Sequence, residues 1–252
     1  MSLIRRIIPC LDVQSGRVVK GVRFQDLQDK GDPAALAAAY EAQGADEIAV
    51  LDVAATPTGL QTQRTVVEAV GRALSIPLMV GGGVRTLADM GALLESGADK
   101  VAVNTAAVLR PSLLAEAEKA FGRQFVVLSV DALRRDGAWV VTTRGGRDAT
   151  SRPALDWIRE AVDLGAGEVL LNAIDADGTG GGYACDITAS ISEAVGVPVI
   201  ASGGAGGPED ILKVLTAGKA DAALAASIFH DGRWTVGAVK RYLSEQGVSV
   251  RC

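Results

Sequence analysis

Histidine is almost missing from the sequence, and cysteine is scarce. His230 is the single histidine in 252 residues, so neither a histidine-ligated metal site nor a Ser-His-Asp triad is expected. We predict that His230 packs structurally. The cysteines, Cys10, Cys185 and Cys252, form neither a CxxC pair nor a disulfide framework. Because free thiols are typical of a reducing compartment, we expect a cytoplasmic protein.

An excess of positive charge and a long apolar run are also missing. The formal net charge is −5, whereas a nucleic-acid-binding protein usually carries a basic surface. No apolar stretch reaches the roughly 18 to 20 residues that cross a bilayer, and Asp12 interrupts the short apolar run near the start. We expect no nucleic-acid partner and no membrane association.

Short apolar runs alternate with longer segments rich in alanine, leucine and glutamate, and Gly, Asp or Pro closes each pair. This rhythm is typical of a parallel sheet. Eight such units predict one α/β domain over residues 1–252 with the (β/α)8 (TIM) barrel fold. The predicted strands cover residues 7–13, 46–52, 76–80, 99–103, 125–131, 168–173, 198–202 and 221–226.

The segments between these strands predict helices, and Asp32, Pro33 and Pro208 supply helix start signals. The longest irregular stretches, 14–31 and 134–150, each follow a strand that ends in aspartate. We interpret them as active-site loops. The predicted helices cover residues 32–43, 61–74, 86–96, 110–120, 152–164, 187–196, 208–217 and 235–246.

The two halves of the chain resemble each other. Asp12 in CLDV corresponds to Asp131 in SVDA, and Gly82 in VGGGV corresponds to Gly203 in ASGGA. The segment GADKVAVNTAAV also matches GKADAALAASIF. An internal repeat of this length predicts two half-barrels, at about 1–122 and 123–252.

Glycine pairs and polar strand ends recur in both halves. The ends of barrel strands often bind phosphate through main-chain N–H groups, where glycine lets the backbone come close. Two such sites predict a substrate with two phosphates, although glycines after strands can also merely form tight turns. The predicted sites are Gly82, Gly83, Asn104 and Thr105 in one half and Ser202, Gly203, Gly204, Ala226 and Ser227 in the other.

Asp12 and Asp131 are the acid/base candidates, since each is predicted to be the last residue of an apolar strand on the rim where barrel enzymes keep catalytic groups. The alternative is that each caps a loop or pairs with Lys20. Asp52 and Asp177 rank second, as residues that position substrate hydroxyls or order loops. The buried thiol expected at position 10 is assigned no chemistry.

Charged residues recur near the N-terminal ends of the strands. Arg6 shares a strand face with Asp12, which lies about a barrel's height away at roughly 3.3 Å per residue. Glu47 and Asp52 have opposite parity on one strand, so a bulge or twist is expected between them. The set comprises Arg6, Glu47, Lys100 and Glu168.

Several motifs together make the chain similar to the cyclase subunit of imidazole glycerol phosphate synthase. The resemblance covers essentially the whole chain, and CLDV followed by GRVVKG favours the cyclase over the sister isomerase of the same pathway. The motifs are IIPCLDVQSGRVVKG, LDVAAT, VGGGVR, GADKVAVNTAAV, SVDA, IDADGTGGGY, ASGGAG, ADAALAASIFH and GVSVR.

The resemblance implies that Asp12 and Asp131 are the catalytic pair and that Lys20 lies on a mobile loop after strand 1. It implies ammonia and a bisphosphorylated formimino-carboxamide ribonucleotide as substrates. The products are then imidazole glycerol phosphate and an aminoimidazole carboxamide ribonucleotide. No metal or organic cofactor is implied. Further substrate contacts are assigned to Asp52, Asn172, Asp177 and Gly178.

The resemblance also implies a partner. The four charged residues near the strand starts match a ring at the barrel floor through which ammonia passes from a glutaminase subunit, docked on the N-terminal face. The chain has one histidine and no nucleophilic Cys/His pair with which to release ammonia itself. The alternative role for the four charges is a stabilising salt-bridge cluster.

The chain departs from the family in three places. Asn172 stands where the family has threonine, the stretch DGTGGGYACD has Ala184 in place of an acid and one extra residue, and TTRGGRDATS differs in its loop. Three other functions therefore stay open: the sister isomerase, a sugar-amidating paralog that uses channelled ammonia, and a non-enzymatic phosphometabolite-binding protein.

Overall fold

A closed barrel of parallel strands forms the centre of the protein. The computed structural model describes residues 3–22, 25–53 and 64–251. Within those residues, eight parallel strands pair around the barrel in the order β1-β4-β5-β6-β7-β10-β11-β12, and β12 pairs with β1 to close it. The (β/α)8 prediction is confirmed. The barrel strands are β1 (Arg6–Gln14), β4 (Ile48–Asp52), β5 (Leu78–Gly81), β6 (Lys100–Val103), β7 (Val126–Arg135), β10 (Glu168–Ala173), β11 (Val199–Ser202) and β12 (Ala222–Ala225).

The two stretches predicted to be irregular loops form antiparallel strands instead. They are β2 (Arg17–Val22) and β3 (Gln25–Gly31) after β1, and β8 (Ala138–Thr143) and β9 (Asp148–Pro153) after β7. Strands β1 and β7 therefore continue beyond Asp12 and Asp131, so neither aspartate ends its strand as predicted.

Two-residue turns cause these hairpins. Ser15 and Gly16 have φ angles of 51° and 79°, and Asp136 and Gly137 have φ angles of 50° and 82°. Two consecutive residues with positive φ form the turn that matches the twist of an antiparallel pair, and Ser-Gly and Asp-Gly suit it. The turn residues were visible in the sequence, but the outer strands, β3 and β9, are mostly polar.

Helices cover the outside of the barrel. Asp32 caps the first helix through a hydrogen bond from Ala35 N to its Oδ1 at 2.9 Å, and Pro33 occupies the first turn as predicted. No helix in the three described ranges has the length and apolar character of a membrane span. The helices are α1 (Pro33–Ala42), α2 (Arg64–Ala73), α3 (Leu87–Glu95), α4 (Thr105–Leu109), α5 (Ser112–Phe121), α6 (Ala154–Asp163), α7 (Cys185–Ala194), α8 (Pro208–Thr216), α9 (Ser227–His230) and α10 (Val236–Glu245).

Two helix predictions need comment. The start of the helix predicted over 61–74 lies outside the described residues, and α2 accounts for the remainder. The helix predicted over 110–120 is preceded by the separate short helix α4, which the sequence analysis did not distinguish. Cys252 also lies outside the described residues.

Alternate residues of each barrel strand pack into two layers. The outward residues meet the helices in a large apolar core that includes the fully buried Trp157 and Leu113. The inward residues fill the barrel interior and make it a packed core rather than a pore. The inner layer contains Ile8, Cys10, Ala49, Met79, Ala102, Val127, Leu170, Ile200, Ala222 and Leu224.

A repeated aspartate fixes neighbouring strands at the N-terminal edge of the barrel. In GADE, GADK and KADA, the aspartate precedes a strand, and its carboxylate accepts a hydrogen bond from the start of the neighbouring strand. The bonds join Ile7 N to Asp46 Oδ2 at 2.8 Å, Leu78 N to Asp99 Oδ2 at 2.9 Å and Val199 N to Asp221 Oδ2 at 3.0 Å. Asp46 also accepts from the buried ammonium of Lys240 at 2.8 Å.

We expect Asp46→Ala to lower the free energy of unfolding by about 3–5 kcal/mol, because the change leaves the buried Lys240 charge without its carboxylate. Asp99→Ala is the matched control. It removes the same kind of main-chain bond at an exposed site, and we expect a loss of about 1 kcal/mol. Urea unfolding of both variants measures the difference. Equal losses would contradict the importance of the buried ion pair.

Candidate active site

A cavity of about 550 Å³ opens at the C-terminal ends of the barrel strands. Its wall contains the catalytic candidates and every predicted substrate-contacting residue except Gly83. Those residues are Asp12, Lys20, Asp52, Gly82, Asn104, Thr105, Asp131, Asn172, Asp177, Gly178, Ser202, Gly203, Gly204, Ala226 and Ser227. The sequence-predicted site is therefore largely one place in the structure.

Asp12 is paired with a cation inside this cavity. Strand β2 folds back along β1 and brings Lys20 Nζ to 2.7 Å from Asp12 Oδ2 and 3.9 Å from Asp177 Oδ1. Burial alone would lower the pKa of Lys20, but Asp12 and Asp177 outweigh it and hold that pKa above its ordinary value. The pairing of Asp12 with Lys20, considered as an alternative to catalysis, is thus present within the site.

Asp131 is held by two neutral amides. Asn104 Nδ2 donates to its Oδ2 at 2.9 Å, and Asn172 Nδ2 donates to its Oδ1 at 3.0 Å. Burial raises the pKa of Asp131 to about 6, and the charge of Asp177 acts in the same direction, while the two amide bonds oppose the shift. A carboxyl with this pKa can both release and accept a proton near neutral pH.

Asp177 lies in the turn that follows β10. Burial raises its pKa, Lys20 lowers it and the nearby charge of Asp12 raises it. Its Oδ2 atom is buried and has no hydrogen-bond partner among the described residues. That oxygen is available to accept a hydrogen bond from a hydroxyl of a bound molecule.

The glycine turns at the cavity wall depend on close backbone contacts. Gly82 and Gly204 have φ angles of 94° and 107°. A Cβ on Gly82 would lie 2.2 Å from Asp52 O, and one on Gly204 would lie 2.1 Å from Gly182 O. The backbone itself therefore requires glycine at both positions, and it leaves main chain as the lining of the cavity.

The charged residues near the strand starts form a closed ring of alternating sign. Glu47 Oε2 accepts from Arg6 Nη1 and from Lys100 Nζ, each at 2.8 Å. Glu168 accepts from Lys100 at 2.8 Å and also pairs with Arg6. Both glutamates are buried. Burial raises the pKa of Glu47, and its Oε1 has no hydrogen-bond partner among the described residues.

A bulge or a twist was expected between Glu47 and Asp52, and β4 has no bulge. Its register with β1 and β5 runs without a shift from Ile48 to Asp52. Ala49 and Leu51 face the barrel interior, and Glu47 shares their parity. Asp52 has the outward parity but still lines the cavity, because it ends the strand at the rim.

His230 has structural surroundings and the Cys10 thiol is buried, as predicted, although that thiol also lines the cavity and donates to Asp12 Oδ1 at 3.5 Å. The carbonyl oxygen of Cys10 lies 3.0 Å from His230 Nε2, and Tyr40 Oη lies 2.6 Å from His230 Nδ1. Since a carbonyl only accepts, Nε2 carries the proton and Tyr40 donates to Nδ1. Burial lowers the pKa of His230 and raises that of the Cys10 thiol well above its usual range.

Two cations that no sequence motif indicated also line the cavity. Arg147 lies beside Gly145 and Gly146 in the turn between β8 and β9, and Arg233 lies near Ser227. The departure of TTRGGRDATS from the family pattern pointed to the loop of Arg147, but its charge was not assigned to the site. Within residues 3–22, 25–53 and 64–251, no cluster of His, Cys, Asp or Glu has an arrangement that would hold a metal ion.

Comparison with known proteins agrees with this architecture. Residues 6–235 match a family model described as "Histidine biosynthesis protein". The imidazole glycerol phosphate synthase subunit HisF of Geobacillus thermodenitrificans is 55% identical over 99% of this chain and 100% of its own length. The subunit of the same name from Geobacillus kaustophilus is 54% identical over the same shares, and that of Dehalococcoides mccartyi strain BAV1 is 51% identical over 99% of this chain and 98% of its own. The chain therefore belongs to the imidazole glycerol phosphate synthase subunit HisF family, and its function is the cyclase step of histidine biosynthesis.

Proposed function

We propose that the cavity binds a bisphosphorylated formimino-carboxamide ribonucleotide and uses ammonia to convert it to imidazole glycerol phosphate and an aminoimidazole carboxamide ribonucleotide. Asp12 and Asp131 exchange the protons of this reaction. The observation that carries the proposal is that both carboxylates line one cavity but have different partners, an ammonium for Asp12 and two amides for Asp131.

The chemistry needs proton transfer in both directions. Ammonia adds to the ribulosyl carbonyl, and one aspartate moves protons during imine formation while the other assists elimination and ring closure. Asp131, with its pKa raised by burial to about 6, suits a step that both donates and accepts. Asp177 holds a substrate hydroxyl through its unpaired Oδ2.

Two phosphate anchors hold the ends of the long substrate. One lies at Gly203, Gly204 and Ser227, and the other at Gly82, Gly83 and the main chain of Asn104 and Thr105, where main-chain N–H groups meet the anion. Arg147 and Arg233 add positive charge to the same cavity. Binding energy at both ends positions the reacting centre between the two aspartates.

Ammonia enters from the opposite end of the barrel. The curated relatives are named as subunits, which supports a second subunit here as well. We assign that partner as a glutaminase docked on the N-terminal face, where the ring of Arg6, Glu47, Lys100 and Glu168 controls passage. The division of this single domain into two half-barrels remains a prediction from the internal repeat.

Replacing either aspartate should remove turnover. We expect Asp12→Asn and Asp131→Asn to lower ammonia-dependent cyclisation by at least about 10² to 10⁴, the usual contribution of one general acid/base group. Substrate absorbance follows the reaction, and circular dichroism checks the fold. The exposed Asp163→Asn is the control. Near-normal turnover in either active-site variant refutes its role, and no absorbance change with the unaltered protein refutes the proposed substrate.

The bisphosphate assignment predicts two anion positions. A crystal structure with a substrate analogue should show one phosphate at Gly204 and Ser227 and the other at Gly83 and the main chain of Asn104. Each end of the ligand is then fixed by N–H groups. Density for a single phosphate position with the complete ligand bound would overturn the two-anchor proposal.

The ring should control the passage of ammonia and not the chemistry. We expect Lys100→Ala to alter the yield of product from glutamine in the complex with the glutaminase. Activity with excess free ammonia, which enters from the open rim, should change much less. Lys119→Ala, on the exposed side of α5, is the charge-matched control. Equal loss in both assays would show that the ring is a structural salt-bridge cluster.

A further inference from the structure

Asp131 is flanked on both sides by strands that each supply one amide. Strand β7 lies between β6 and β10. Asn172 on β10 is the direct register partner of Asp131, and Asn104 follows Val103, whose register partner is Leu128. Both amide nitrogens reach the carboxylate, and they occupy different oxygens. Each carboxylate oxygen of Asp131 therefore accepts one hydrogen bond from a neutral amide, and the two amides come from opposite sides.

Asp12 has no such neighbours at the equivalent positions. Its direct register partner on β4 is Leu51. On the other side, Ala226 follows Ala225, whose register partner is Pro9, and so stands where Asn104 stands beside β7. Neither side chain can donate a hydrogen bond. Asp12 is met instead by Lys20, which comes from β2.

We propose that Asn104 and Asn172 are positioning residues that orient the carboxylate of Asp131 and set the pH range in which it exchanges its proton. This role differs from the substrate contact expected for them from the sequence. The proposal rests on the proposed function for its kinetic consequence, whereas the orientation of Asp131 does not depend on the substrate.

The chemistry of the bonds explains the direction of the effect. An ionised carboxylate only accepts, so each amide must turn its nitrogen towards Asp131. That orientation leaves Asn104 Oδ1 buried and without a hydrogen-bond partner among the described residues. Donors to a carboxylate stabilise its charged form. The two amides therefore oppose the burial and the charge of Asp177, which both favour the protonated form.

Other ionisable groups share the cavity and can contribute to the same titration. Their charges remain when an asparagine is replaced, so a change seen on replacement belongs to the amide. These groups are Asp177 after β10, Asp12 and Cys10 on β1, Lys20 on β2, Asp52 on β4, Arg147 between β8 and β9 and Arg233 after α9.

The direct test is the titration of Asp131 in the full-length protein without ligand. Carbon NMR of protein labelled at the aspartate carboxyl reports the signal, and Asp131→Asn identifies it by its loss. We expect Asn172→Leu, which copies the apolar neighbour of Asp12, to raise the pKa of Asp131 by about one pH unit. Asn172→Ala also removes the donor and adds no charge, so it should raise the pKa in the same direction, and it carries the test if the leucine variant does not fold.

Thr142→Val is the matched control. Thr142 Oγ1 donates to the main-chain oxygen of Asp131 at 3.1 Å and does not contact the carboxylate. We expect no shift of the Asp131 titration in this variant. An unchanged titration in both Asn172 variants, or an equal shift in the control, would overturn the proposal.

A kinetic measurement separates positioning from substrate contact. With saturating ammonia, the limb of the kcat profile that reports Asp131 should move to higher pH by the same amount as the NMR titration, with little change in KM. A higher KM without a titration shift would show that Asn172 binds substrate and would overturn the proposal. If the unaltered protein does not cyclise the substrate, the proposed function fails, while the NMR titration still decides the role of the amides.

Discussion

The alternation of side chains along eight parallel strands is the constraint on which the rest of the structure depends. Each strand buries one face against helices and the other inside the barrel, so an inward charge is tolerated only near an end of the barrel. At the N-terminal end the inward charges are paired as the ring of Arg6, Glu47, Lys100 and Glu168. At the C-terminal end they are the carboxylates of Asp12 and Asp131. Apolar residues such as Ile8 and Leu170 separate the two groups.

The two aspartates show how similar backbones can provide different chemistry. Both lie inside strands that continue into a hairpin, and both open onto the same cavity. Their neighbours differ, because Leu51 faces Asp12 where Asn172 faces Asp131. The ammonium of Lys20 pairs with Asp12, whereas Asp131 accepts from two neutral amides. Burial raises the pKa of Asp131 to about 6, and the amides only partly oppose this shift. Two acids with unlike surroundings can divide acid and base roles in one reaction.

Hairpins and close backbone contacts complete the site. The β1–β2 hairpin brings Lys20 over the cavity, and the strand pair β8–β9 brings Arg147 to it. Both stretches were predicted to be loops, although Ser15-Gly16 and Asp136-Gly137 carry the turn signal. The outer strands β3 and β9 are mostly polar and lack the apolar pattern from which strands are predicted. Strands β2 and β8 take their positions from pairing with β1 and β7, and β3 and β9 pair in turn with β2 and β8.

The sequence by itself determined the barrel fold and the strand that carries each candidate residue. It also determined the alternation that brings four charges to the N-terminal end of the barrel, because strand periodicity and turn residues are local properties. It did not determine which groups touch. Asn172 looked like a substrate contact and donates to Asp131, and the expected bulge before Asp52 was unnecessary. Hydrogen-bond partners and raised pKa values arise from burial and from residues on neighbouring strands. Only the tertiary structure decided them, since they depend on the register between strands and not on the order of residues within one.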